Sequence, residues 1–130
     1  MTAKYYFEKT MKEDFETAVS KTKEALKSEG FGVLSEIDIN EKLKEKLGVD
    51  FRRYKILGAC NPAYAYKALQ KEDKIGVMLP CNVIIQERTN GEIEVAAVDP
   101  AASMLSIDND DLRMIATEIR VKLQNVIGLL

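Results

Sequence analysis

At 130 residues the chain fits one domain with one core, and 46% apolar beside 31% charged residues excludes a disordered polymer. Its 19 basic side chains are interleaved with 21 acidic ones for a net charge of −2, which leaves no basic stripe for phosphates and so no expected nucleic-acid partner. Histidine is absent, which removes Cys-His and Ser-His catalysis and histidine-bearing zinc sites, and no run of about 18 apolar residues is present to span a membrane.

The opening Met1-Thr2-Ala3-Lys4-Tyr5-Tyr6-Phe7 lacks the apolar core of a signal peptide, so a cytoplasmic location is expected. Lys4 to Lys9 is aromatic and β-prone, and Thr10 to Glu13 has the spacing of a capping box, so a strand hands over to a helix. In that helix Phe15, Ala18, Val19, Thr22, Ala25 and Leu26 form one stripe, and Gly30 supplies the stop. Phe31 to Ile37 reads as a strand with Phe31, Val33 and Ile37 on one face and Leu34 as the exception. Asn40 to Gly48, with a cap, two leucines four apart and a final glycine, predicts a short helix. Phe51 to Leu57 alternates as a strand and stops at Gly58.

Asn61-Pro62 restarts the chain as a helix, asparagine capping and proline at the first helical position. Ile75 to Leu79 and Val83 to Glu87 are apolar enough for strands, separated by Pro80, which cannot donate to a ladder. Either one long strand bends there or two strands meet at a corner. Asn90-Gly91 predicts a type I′ hairpin, with Glu92 to Val98 as the return strand. Asp99-Pro100 ends that strand. A last helix begins at Asp108 and keeps Leu112, Ile115, Ala116, Ile119, Leu123, Val126 and Ile127 on one stripe. The expected fold is α+β, a mostly antiparallel sheet covered by two longer helices, with short helices inserted around the third strand.

Chemistry concentrates between Gly58 and Asn82, which holds both cysteines, each followed by asparagine and each near a proline. Cys60 precedes a helix cap, where a thiolate feels the positive helix end. If Ile75 to Glu87 were one strand hairpinned against Phe51 to Leu57, Cys81 would lie roughly 20 Å away. A corner at Pro80 would bring it beside Gly58 and Cys60 instead, and the proline favours this case. Converged thiols permit a reversible disulfide, a soft-metal site or a nucleophile for which Asp99 or the second thiolate must serve as base. Zinc would need four ligands and therefore a dimer, and no cofactor is expected. Asn61 and Asn82 could donate amide hydrogens to a bound carbonyl or anion. Tyr5, Tyr6, Phe7, Tyr64 and Tyr66 read first as core, otherwise as the lining of a small pocket or a dimer seam.

Together Ile56-Leu57-Gly58-Ala59-Cys60-Asn61-Pro62, Ala68-Leu69, Ile75 to Val83 and Asp99-Pro100 with Met104 beyond resemble the domain-of-unknown-function 302 family over nearly the whole chain. That resemblance implies a β-α-β(4)-α fold, similar in outline to the TATA-box-binding-protein-like architecture, and often a homodimer. It implies no reaction, and the likeness of architecture does not imply DNA binding. The expectation is a small binding module, a homodimer, with a small-ligand or soft-metal pocket at Cys60, Asn61, Pro80, Cys81, Asn82 and Asp99. The alternatives are a thiol-redox protein using Cys60 and Cys81, or a structural homodimer without chemistry.

Overall fold

Five β-prone runs pair into one antiparallel sheet: β1 (Tyr6–Met11), β2 (Gly32–Asp38), β3 (Tyr54–Cys60), β4 (Cys81–Glu87) and β5 (Ile93–Val98), in the spatial order β1-β5-β4-β3-β2. The helices are α1 (Phe15–Ser28), α2 (Ile39–Leu47), α3 (Pro62–Lys71), α4 (Pro100–Ser103) and α5 (Asp110–Leu129), with a 3-10 helix over Asp73–Met78. This is a computed structural model that describes residues 4–104 and 107–130; Met1 to Ala3, part of the opening run, lie outside them. The architecture is α+β with the expected β-α-β(4)-α outline.

Strand alternation decides which side of the sheet is covered. Leu57, Ala59, Val83, Ile85, Val95 and Ala97 share one face and are fully or almost fully buried. Against them pack α1 and α5, each through the stripe that its 3.6-residue period predicts. The other face carries Glu8, Ala96, Ile84, Ile56 and Ile37, which the register sets side by side across all five strands. Among the described residues no helix is long and apolar enough to cross a membrane.

Several local expectations are corrected. The capping box at Thr10 does not form, because β1 runs on to Met11; α1 is capped by Asp14, whose carboxylate accepts from Thr17 N at 2.8 Å. In β2 the Leu34 exception marks a bulge between Val33 and Ser35. The extra residue resets the alternation, so Val33 packs on the core while Ile37 is turned outward. Asn40 does not cap α2; its Oδ1 accepts from Tyr54 N at 3.2 Å and ties the helix to β3. β3 starts three residues later than expected and continues through Gly58 to Cys60.

Ile75 to Leu79 is not a strand. Glu72 caps the segment by accepting from Lys74 N, and only Ile75 is buried, with Val77 85% exposed, so a single anchor replaces the face a strand would need. The hairpin after β4 is not type I′, since among the described residues none but glycine has positive φ. Within this loop Gly91 alone does, at 84°, and Arg88 exchanges backbone bonds with Glu92 and Gly91, a three-residue loop with glycine in the left-handed position. α5 begins at Asp110 rather than Asp108, because Asn109 Oδ1 takes the amides of Asp111 and Leu112.

Candidate functional site

The 3-10 helix ends at Met78, and after Leu79 and Pro80 the chain enters β4. The register then places Cys81 across from Ala59, one residue from Cys60, which sets the two cysteine Cα atoms about 6 Å apart. Both thiols are free. They border the same small cavity at the end of the sheet, together with Asn61, Tyr64, Pro80 and Met104. Its free volume is about 20 Å³, room for one water. A small organic ligand does not fit there.

The remaining residues singled out in the sequence have other partners. Asn61 occupies the cap position of α3 without capping it; its amide nitrogen donates to the Glu29 carbonyl at 3.3 Å and ties α3 to the end of α1. Asp99 is buried and does not border the cysteine cavity. One of its carboxylate oxygens accepts from Ala101 N at 3.0 Å and the other from Arg120 Nε at 3.2 Å. Asn82, the strand neighbour of buried Cys81, is exposed and belongs to the opposite side of the sheet. The second Cys-Asn unit is therefore divided between the core and the open face. Among the described residues no group of three or more Cys, Asp or Glu converges in a metal-holding cluster.

Burial, and after it the charge of Cys60 alongside, pushes the Cys81 thiol up from 9.0 to about 11. It is a neutral thiol at physiological pH, so any thiol chemistry would begin at half-buried Cys60. The same shift has a consequence for stability. Above pH 9.0 the unfolded chain releases the Cys81 proton while the folded one keeps it, so stability present below 9.0 is lost as pH rises toward about 11. The expected loss at about pH 10 is about 1.4 kcal/mol. Urea unfolding at about pH 8 and about pH 10, compared between the native chain and Cys81→Ala, checks it: the variant should lose less, and an equal loss would refute the assignment to Cys81.

A larger concavity than the cysteine cavity lies on the open face. A hollow of about 450 Å³ is bordered by Tyr5, Tyr6 and Glu8 at one side, Tyr54 at the other, and Asn82, Ile84 and Ala96 between. Its polar rim is ordered: Arg52 Nε donates to Gln86 Oε1 at 2.8 Å, Gln86 Nε2 to Glu94 Oε1 at 2.8 Å, and Arg88 Nη1 to Glu94 Oε2 at 3.1 Å. Apolar floor, aromatic walls and a few fixed polar groups are the make-up of a small-molecule site. The sequence flagged Tyr5 and Tyr6 as possible pocket residues, but Ile84, Ala96 and Tyr54 come together only through strand register.

The model of a family described as a domain of unknown function, DUF302, matches residues 7–130. Among solved structures the chain is similar to the crystal structure of an uncharacterized conserved DUF302 protein from Bacillus stearothermophilus, at 29% identity, 98% coverage of each chain and a TM-score of 0.90. Among proteins of curated function none matches.

Proposed function

The chain belongs to the DUF302 family, and on that premise, with no reaction to inherit, we propose that it is a small binding module whose working surface is the open face of its sheet. One observation carries this reading: the 450 Å³ hollow walled by three tyrosines stands against a cysteine cavity that holds no more than a water. The Cys-Asn segment then serves the site indirectly. It fixes the corner from which β4 starts and presents Asn82 toward the hollow.

Tyrosine emission supplies the test, since the chain has no tryptophan and three of its five tyrosines border the hollow. Titration with small flat aromatic compounds should give a saturable change. Ala96→Trp, which fills the floor, should weaken the binding at least about tenfold, about 1.4 kcal/mol, while the chain stays folded by circular dichroism. Binding that survives Ala96→Trp would overturn the assignment of this face.

The homodimer implied by the family resemblance has the same surface available to it. The row Ala96, Ile84, Ile56 and Ile37 is an apolar stripe crossing four strands, the kind of patch that partners cover. Were a second copy the occupant, Ala96→Trp would change the sedimenting mass, and small compounds would bind only as the dimer dissociates.

A further inference from the structure

A cation already stands at the edge of the hollow. Lys4 Nζ lies 5.9 Å from the centroid of the Tyr6 ring and 3.9 Å from a carboxylate oxygen of Glu8. Both Tyr6 and Glu8 border the hollow, and the Tyr5 ring meets that of Tyr6 edge-on at 5.0 Å. Ring faces and a carboxylate present negative potential to the same volume, which an ammonium group satisfies and an anion does not. The cationic side of the rim is already committed, because Arg88 is paired with Glu94, and Arg52 donates to Gln86 and stacks on Phe51 at 4.4 Å. Among the described residues Glu8, by contrast, faces a lysine that is 69% exposed, with nothing tighter between them than the 3.9 Å approach.

We propose that the hollow takes an organic cation, its ammonium group over Tyr6 and against Glu8 and its flat apolar body along Ala96 and Ile84 toward Tyr54. Lys4 is an internal stand-in that the ligand displaces. This assignment rests on the open face being the binding surface, and the experiment separates the two.

Phenethylamine and 2-phenylethanol are matched in size and differ in charge, and each is titrated by tyrosine emission and by proton chemical shifts. The amine should bind more tightly than the alcohol, and added salt should weaken only the amine. Lys4→Ala should tighten the amine ~2–5-fold, the worth of one exposed cation–π contact, and leave the alcohol unchanged. Glu8→Gln should weaken the amine by a similar factor. Both positions are exposed, and urea midpoints confirm that the variants fold. Equal affinity for the two probes, abolished in both by Ala96→Trp, would overturn the cation assignment while leaving the open face as the site. Tighter binding of the alcohol, or amine binding weakened by Lys4→Ala, would also overturn it. Absence of binding by either probe would remove the proposal together with the site.

Discussion

Replacing Gly58 with valine is expected to cost the fold about 3 kcal/mol, the upper range for forcing atoms into a packed site. A Cβ at Gly58 would stand 2.3 Å from Ser35 Oγ and 2.9 Å from Pro80 Cγ. The serine hydroxyl can rotate aside, but the proline ring cannot, since it is fixed between the 3-10 helix and β4. Gly58→Ala should therefore cost less than valine, and Ser35→Gly should recover part of the alanine loss and little of the valine loss. Urea unfolding of the two single variants and of each combined with Ser35→Gly measures the coupling. A Gly58→Ala protein within about 0.5 kcal/mol of the native chain would show that β3 and the Pro80 corner can separate freely. The corner matters beyond stability, because it sets where β4 begins and hence which residues of β4 face the hollow.

That glycine shows how the sequence carried its information. Gly58 interrupts an alternating run, which invites the inference that the strand ends; a glycine inside a strand also marks close approach of a neighbour, and here the approach of Pro80 and Ser35 is the cause. Leu34 was legible in the same manner, as an exception to alternation that turned out to be a bulge. The helices α1 and α5 were readable almost residue by residue, since a buried stripe repeated over 14 and 20 residues leaves no other period. Ile75 to Leu79 was not, because a five-residue run with four apolar side chains fits a strand or a helical turn equally until the Glu72 cap and the isolation of Ile75 decide.

The candidate site divides along the same line. Local chemistry marked Cys60, Asn61, Pro80, Cys81 and Asn82 as unusual, and the fold does bring the first four to one corner, with Asn82 turned to the open face. What no local pattern could show is that the corner is tightly packed and that the open volume lies elsewhere. The hollow is made mostly of residues drawn from β1, β3, β4 and β5, each ordinary within its own strand. Their convergence is a property of register, which is fixed by the corner at Pro80 and the three-residue loop after β4.

Asp99→Ala is expected to destabilise the protein by about 2–3 kcal/mol, the sum of a lost helix cap and a lost charged hydrogen bond. Asp99 is 8% exposed, and its two carboxylate oxygens are divided between Ala101 N, at the start of α4, and Arg120 Nε on α5. Its backbone amide donates to the Tyr5 carbonyl at 2.7 Å. One residue thus binds the end of β5, the entry to β1, α4 and the middle of α5. The Arg120 side chain is 41% exposed and lies 5.4 Å from the Phe7 ring, so water takes up part of its lost bond and the upper figure is not reached through the ion pair alone. Asp99→Asn separates the two contributions: the amide oxygen can still cap α4, so about half of the loss should return, about 1 kcal/mol. Urea midpoints of the two variants decide between roles for this carboxylate. The expected order, native above asparagine above alanine, marks the Asp99 carboxylate as a tie between the end of β5, α4 and α5. An alanine variant as stable as the native chain would mean that the carboxylate contributes nothing to the fold, and would return Asp99 to the ligand set expected from the sequence.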